Sequence, residues 1–184
     1  MNKKIQIGVL GFAGKEEYPK TKGPTKKDLE IAQKVGYLLA KAGAIVVTGG
    51  KTGVMEFASK GEKLGGGITV GVITGPRKTS NNWIDIEVIT GSKIAGFDEV
   101  IIPIMCDAVV VIGGGAGTLQ EICVSYRNKI PIIILENTTK QTKSLLNKKY
   151  LDERKTTKIF FIKNPKDAVN KVINQTKKHK NSLS

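Results

Sequence analysis

The amino-acid sequence predicts an α/β fold in which helices cover both faces of one doubly wound parallel sheet. Short apolar segments alternate along the chain with longer segments whose apolar residues recur at helical spacing. Two clusters of glycines each stand directly after a predicted strand and before a predicted helix. Because doubly wound sheets bind ligands beyond the carboxyl ends of their strands, these clusters indicate where a ligand would bind.

Length and composition agree with a single domain. The chain has 184 residues, of which 40% are hydrophobic and 25% are charged. This balance allows a sizeable core and excludes the disordered class of protein. We expect residues 1–173 to form one nucleotide- or phosphate-binding domain. The polar residues 174–184 contain several lysines, and we expect them to form a frayed basic tail.

Four strands are predicted in the first part of the chain. They are residues 5–10, 45–48, 68–73 and 84–89. Thr25, with Asp28 three residues later, predicts the N-terminus of the first helix, which ends near Gly43. A second helix begins after Gly53. Three consecutive glycines at 65–67 turn the chain into the third strand.

The second part of the chain continues the alternation. Strands are predicted at residues 108–112, 131–135 and 159–162, and helices at residues 97–105, 118–129 and 165–173. Pro103 interrupts the pattern of the first of these helices. A regular alternation of strands and helices predicts parallel strands joined by helical crossovers. The predicted fold is therefore a single-domain Rossmann-like α/β fold.

Composition also narrows the chemistry and the location. No apolar run reaches the roughly 18 residues of a membrane helix, and no signal-peptide pattern precedes the first strand, so we expect a cytoplasmic protein with no membrane partner. Cys106 and Cys123 form no CxxC pair, and we expect both to be buried, reduced thiols. His179 is the only histidine, which argues against histidine catalysis and against His/Cys metal sites.

The formal net charge of +14 favours anionic partners. A nucleic-acid surface is one interpretation of this charge, and a lysine-rich background is the plainer one. Only Arg77, Arg127 and Arg154 are arginines, whereas arginine makes most bidentate contacts to phosphates and bases. We therefore expect a phosphorylated small molecule as partner and do not expect nucleic acid.

The glycine loop at residues 113–117 has the composition of an anion site. Glycines allow the backbone to approach a ligand closely, and the helix that follows offers unpaired N–H groups and a positive dipole end. GxGxxG is not satisfied there, and Ile45 stands where a Walker loop ending in Lys51-Thr52 needs glycine. The predicted ligand-binding residues are Gly11, Gly49, Gly50, Lys51, Thr52, Gly53, Gly113, Gly114, Gly115, Gly117 and Thr118.

Glu121 is the candidate catalytic residue. The expected buried stripe of its helix consists of Leu119, Ile122, Cys123 and Tyr126. That stripe places Glu121 to one side, leaning toward the helix N-terminus and the glycine loop. Two interpretations follow. Thr118 and Glu121 form a capping box, or Glu121 acts on a ligand.

The two glycine loops resemble a known family. Residues 113–121, GGGAGTLQE, look like the PGGxGTxxE motif of the "lonely guy" phosphoribohydrolases, also called lysine-decarboxylase-like proteins. Residues 48–55 are similar to their GGxxGLM loop. Gly113 in place of the motif proline, with the NWIDI segment at 82–86, looks more like a sister group of molybdenum-cofactor-carrier-like proteins. DNA-processing proteins share this core more distantly.

The resemblance implies a nucleoside 5′-monophosphate site, and it also implies a homodimer. In the hydrolases the glutamate that Glu121 matches acts at the N-glycosidic bond, and an arginine upstream holds the ligand. That arginine would fall near Gly96 or Asp98, but this chain has none between Arg77 and Arg127. We therefore rank three functions. First is a carrier or sensor of a phosphorylated nucleotide-like or pterin-like ligand, with molybdenum cofactor as a candidate cargo. Second is a phosphoribohydrolase, and third a DNA-binding module.

Overall fold

Seven parallel strands and five helices make up the part of the chain that the computed structural model describes, residues 3–94, 96–136, 138 and 149–181. The strands are β1 (Gln6–Gly11), β2 (Ile45–Thr48), β3 (Ile68–Ile73), β4 (Ile86–Ile89), β5 (Ala108–Ile112), β6 (Ile132–Leu135) and β7 (Ile159–Ile162). The helices are α1 (Lys26–Lys41), α2 (Val54–Leu64), α3 (Asp98–Ile104), α4 (Ala116–Arg127) and α5 (Pro165–Asn181).

The strands lie in the order β4-β3-β2-β1-β5-β6-β7, and every neighbouring pair is parallel. The chain builds the sheet outward from β1 to β4, and then returns to place β5 on the other side of β1. In the pairing of these two central strands Gly11 lies opposite Ile112. The strand order reverses here, which makes the carboxyl ends of β1 and β5 the topological switch point where such sheets bind ligands.

Helices cover both faces of the sheet, as predicted. One core cluster joins strand residues such as Val110 to apolar residues of α1, α2 and α5. The opposite cluster joins Val109 and Val111 to Ile122 and Tyr126 of α4 and to Ile102 of α3. Successive residues of β5 therefore face opposite helical layers, as the alternation of a strand requires. The predicted doubly wound α/β fold is confirmed.

The first helix begins as its sequence predicts. The Thr25 hydroxyl accepts the Asp28 N–H at 3.2 Å, and the Asp28 carboxylate accepts the Thr25 N–H at 2.9 Å. This reciprocal capping box satisfies two backbone donors that a helix N-terminus leaves unpaired. Further along, α1 packs tightly on α2, because Gly36 and Gly61 each face the backbone of the opposite helix with no room for a side chain.

Three expectations about the elements are wrong in detail. The last helix does not end near residue 173 but continues to Asn181, because Val172 and Thr176 keep one face of it buried. Among the expected tail residues, 182–184 lie outside the described part. Helix α4 begins at Ala116, two residues before the predicted start. Cys106 is buried as expected, but Cys123 is exposed because it lies on the outer face of α4.

Within the described residues, no helix is long and apolar enough to cross a bilayer.

Glu62 gives the fold a pH-dependent stability. It lies in the last turn of α2 and is fully buried, and this burial raises its pKa from 4.5 to about 8. Because the carboxyl ionises more readily in the unfolded chain, stability falls as the pH rises from about 4.5 to about 8.

Glu62→Gln should remove this loss. We expect the variant to be more stable than the parent at pH 8, on the order of 2 kcal/mol, and to differ little at pH 4. Urea unfolding at the two pH values measures the effect. Glu30→Gln, an exposed position on α1, is the matched control. Equal pH dependence in the parent and in Glu62→Gln would refute the assignment to Glu62.

Candidate functional site

Three loops meet at the switch point of the sheet. The chain leaves β1 at Gly11, β2 at Thr48 and β5 at Ile112, and these three strands are neighbours. We call residues 49–53 the first glycine loop and residues 113–117 the second glycine loop. Each leads directly into a helix, α2 and α4 respectively. The structure therefore brings the two clusters to one edge of the sheet, as predicted.

The second glycine loop leaves the N-terminus of α4 open. Gly113 and Gly114 have φ values of 65° and 125°, which L-residues with side chains adopt with strain. The Gly113 N–H donates to the Thr138 hydroxyl at 2.9 Å, which anchors the start of the loop. Gly115 is the N-cap residue of α4, and no side chain caps this helix. Its first N–H groups therefore remain available to an anion.

Gly115 faces open space. A Cβ at this position would meet only the Phe12 ring, 4.0 Å away. Gly114 differs, because a Cβ there would clash with the Thr118 side chain, which is buried beneath it. Within one loop, therefore, Gly114 shapes the turn and Gly115 keeps a surface free for a ligand.

The first glycine loop already holds an anionic group of the protein. The Glu17 carboxylate accepts hydrogen bonds from the Thr52 N–H at 2.9 Å and from the Thr52 hydroxyl at 2.6 Å. Lys51 Nζ lies 3.7 Å from the same carboxylate. The N-terminus of α2 is also occupied, since the Val54 N–H donates to the Phe12 carbonyl at 2.9 Å. The donors of Thr52 and the Gly50 N–H, which were predicted for a ligand, are thus used internally, whereas Lys51 keeps part of its capacity.

The other glycines of the predicted site pack against protein. A Cβ at Gly11 would clash with the Ile112 carbonyl oxygen and stand 2.7 Å from Val54 Cγ1. A Cβ on Gly49 would lie 2.8 Å from the Met55 sulfur, and one on Gly53 would lie 2.6 Å from the Gly14 nitrogen. These distances leave no room for side chains. The close packing of strands and helices accounts for these glycines without a ligand.

Asn81 fixes the first glycine loop from the β3–β4 connection. Its side-chain amide donates to the Gly50 carbonyl at 3.0 Å and to the Lys51 carbonyl at 2.7 Å, and its N–H donates to Gly50 at 2.7 Å. Three hydrogen bonds to one loop hold Lys51 at the mouth of the site.

The expected position of Glu121 is wrong. Helix α4 starts at Ala116, so Thr118 lies inside the first turn and is not an N-cap, and no capping box forms. The buried face of the helix consists of Thr118, Glu121, Ile122, Ser125 and Tyr126. Glu121 is therefore on the buried stripe and only 7% exposed. Among the described residues no hydrogen bond reaches its carboxyl group. Burial raises its pKa well above 4.5, and the charges of Glu99 and Asp98 add to the rise.

Glu99 stands beside Glu121 at the start of α4. Its Oε1 lies 2.8 Å from where a Cβ on Gly117 would be, and its Oε2 is buried with no hydrogen-bond partner. Burial, with a hydrogen bond that the protonated Glu99 donates to Asp98, raises the pKa of Glu99 to about 7, while Lys51 acts in the opposite direction. The second glycine loop is thus flanked by the buried Glu121 and the half-buried Glu99, and Lys51 faces them.

Sequence reasoning missed Glu17, Asn81, Glu99 and Thr138. None belongs to a glycine motif, and their partners are distant in sequence, 35 residues away for the Glu17–Thr52 bond and 25 for the Gly113–Thr138 bond. Of these four residues, Glu99 was the easiest to find from the sequence, because the acidic pair Asp98-Glu99 stands where the resemblance requires an arginine.

Comparison with known proteins gives a consistent picture. The model of the SLOG cluster4 family matches residues 4–169. An uncharacterised protein of Archaeoglobus fulgidus is 33% identical over 139 residues, which are 72% of this chain and 85% of the relative.

Solved structures share the fold over nearly the whole chain. The TM1055 protein is 30% identical, with a TM-score of 0.81 over 92% of this chain and 99% of that one. The molybdenum cofactor binding protein of Rippkaea orientalis is 27% identical, with a TM-score of 0.78 over 95% and 98%. The molybdenum cofactor carrier protein of Chlamydomonas reinhardtii is 26% identical, with a TM-score of 0.78 over 94% and 98%. DNA processing protein A of Helicobacter pylori, 17% identical with a TM-score of 0.65 over 92% and 80%, shares the fold alone.

Proposed function

Because the chain belongs to the SLOG cluster4 family, we propose that it is a carrier or sensor that binds a phosphorylated, nucleotide-like or pterin-like ligand. The phosphate binds at the N-terminus of α4. The observation that carries this proposal is the contrast between two helices. The N-terminus of α1 is closed by its own capping box, whereas that of α4 has no side-chain cap and follows a glycine loop at the switch point.

Electrostatics support an anionic ligand at this place. Unpaired N–H groups and the dipole of a helix favour negative charge within the first turn. Lys51, held by Asn81 at the mouth of the site, adds a cation, and the net charge of +14 raises the local concentration of anions. Residues 113–118 bind the phosphate in this proposal, and Lys51 binds the rest of the ligand or a second phosphate oxygen.

Molybdenum cofactor is the candidate cargo. Two structures of similar fold are named for binding or carrying it, and its organic part combines a pterin ring with a phosphate. The open N-terminus of α4 suits that phosphate.

A thermal-shift screen tests the proposal. The panel contains inorganic phosphate, ribose 5-phosphate, AMP, GMP, molybdopterin kept anaerobic, and single-stranded DNA. A ligand at 100 times its dissociation constant stabilises the fold by about 2.7 kcal/mol. We expect shifts with phosphorylated small molecules and none with unphosphorylated nucleosides. The proposal fails if no phosphorylated compound shifts the transition. A shift with DNA alone would favour the nucleic-acid module.

The second candidate is a nucleoside 5′-monophosphate phosphoribohydrolase. The buried Glu121 favours it, since a carboxyl group of raised pKa beside a phosphate site can donate a proton to a departing base. The acidic pair at 98–99 in place of the family arginine ranks it second. Incubation with AMP or GMP, followed by chromatography, decides: release of base that Glu121→Gln abolishes would establish the hydrolase.

We also propose that the protein is a homodimer that pairs through α3. Large apolar side chains are exposed on and just before this helix, with Ile94 71% exposed and Ile104 55% exposed. Light scattering should give twice the chain mass of 19.9 kDa. Ile104→Lys should favour the monomer, whereas Leu64→Lys, at an equally exposed position on α2, should not. A monomeric parent protein at micromolar concentration would contradict this arrangement.

A further inference from the structure

Two carboxyl groups from different helices converge on the first turn of α4. Glu99 reaches it from α3, with Oε1 against Gly117. Glu121 lies one turn further along α4, and a helical side chain leans over the turn that precedes it, which is again the turn of Gly117. Both groups therefore stand next to the N–H groups that the proposed function assigns to a phosphate.

Neither carboxyl group is fully paired within the described residues. Glu121 is more than nine-tenths buried, and no described residue donates a hydrogen bond to its carboxyl group. Glu99 Oε2 is buried and unpaired. The other buried acidic residues differ from each other: Glu62, in the last turn of α2, also has unpaired carboxyl oxygens, whereas Asp28 has donors. The Asp28 carboxylate, also buried, accepts the Thr25 N–H at 2.9 Å and the Thr25 hydroxyl at 2.8 Å. An unpaired buried acceptor costs about 1–3 kcal/mol, so the Glu99–Glu121 pair is costly unless a ligand supplies its partner.

The charge of that partner follows from the neighbours. Two carboxylates beside a bound phosphate would repel it. Lys51 is the nearby cation, but it lies 3.7 Å from Glu17, and Asn81 holds its backbone. A divalent cation of the Mg²⁺ class resolves the repulsion, since Mg²⁺ is typically bound through one or two carboxylates together with ligand phosphate and keeps several waters.

We propose that Glu99 and Glu121 bind a divalent cation, of the Mg²⁺ class, which bridges them to the phosphate on the N-terminus of α4. The bridge from the cation to a phosphate depends on the proposed function, whereas binding of the cation by the two carboxylates does not. Hydroxyl and ring N–H donors of a ligand would satisfy the carboxylates without a metal, and the experiment separates these cases.

Mn²⁺ serves as the probe, because its electron paramagnetic resonance signal is lost on binding. We expect the protein to bind one Mn²⁺ per chain, and Mg²⁺ to displace it. Glu121→Gln and Glu99→Gln should each weaken the affinity at least about tenfold, because an amide is a poorer ligand than a carboxylate for a hard cation. Glu30→Gln, on the exposed side of α1, should bind like the parent. Circular dichroism of each variant confirms that it is folded.

Inorganic phosphate is then added. Coupling through a bridge is reciprocal, so phosphate should raise the Mn²⁺ affinity several-fold in the parent and not in Glu121→Gln. Absence of Mn²⁺ binding at millimolar concentration, or unchanged binding in both Glu→Gln variants, would overturn the site. Mn²⁺ binding that phosphate leaves unchanged would overturn the bridge. Mn²⁺ binding together with a negative ligand screen would leave the cation site standing and refute the proposed function instead.

Discussion

Replacing Gly115 with aspartate should abolish the binding of phosphorylated ligands while leaving the protein at least as stable. Gly115 is the N-cap residue of α4, its φ of −111° is accessible to any residue, and its Cβ direction is open. Aspartate is among the best N-cap residues, so it should accept the free N–H groups of the first turn and stabilise the helix by a few tenths of a kcal/mol. The same carboxylate would occupy the place of the phosphate.

The expected loss of affinity is large. Two hydrogen bonds to a charged group are worth about 3 kcal/mol together, which corresponds to a loss on the order of 100-fold, and repulsion adds to it. Calorimetric titration with the best ligand of the screen and urea unfolding without ligand measure the two effects separately.

Two companion variants separate charge from shape. Gly115→Asn caps the helix without a charge and should weaken binding less than Gly115→Asp. Gly115→Ala adds only a methyl group near the Phe12 ring, so it should leave the free energy of unfolding unchanged. The methyl group should keep the phosphate from approaching the backbone closely and so lower the affinity for the ligand. Full affinity in Gly115→Asp would show that the phosphate does not bind at the N-terminus of α4.

Gly11→Ala should destabilise the protein by about 3 kcal/mol. Gly11 lies opposite Ile112 in the central strand pair, and its Cβ would clash with the Ile112 carbonyl oxygen and contact Val54 at 2.7 Å. Strand backbone at the middle of the sheet cannot move aside as a flexible side chain can, and overpacking of this kind costs about 1–3 kcal/mol or more.

Urea unfolding measures this change, and Gly115→Ala is the matched control, since it makes the same substitution at a glycine with open space beside it. We expect a lower midpoint for Gly11→Ala and an unchanged midpoint for Gly115→Ala. If Gly11→Ala unfolds like the parent, packing is not the reason for this glycine.

The fold was predictable from the sequence because its determinants are local. Strand and helix segments differ in the period of their apolar residues, and Thr25 with Asp28 marks a helix start within four positions. The order of strands and helices then leaves few topologies, since crossovers between parallel strands are right-handed and ligands bind at the switch point. The meeting of both glycine loops at one edge of the sheet followed from that order alone.

Only the tertiary structure decided what each residue of the site does. Packing of α4 on the sheet turned its buried face by about one residue, roughly 100°, from the expected stripe, so that Glu121 faces inward and Cys123 faces outward. A hydrogen bond between residues 35 positions apart places the Glu17 carboxylate in the first glycine loop, and α3 places Glu99 beside Glu121. Glycines that look alike in sequence differ by what stands opposite them: backbone opposite Gly11, open space opposite Gly115. Such neighbours depend on how distant segments pack, which local patterns do not encode.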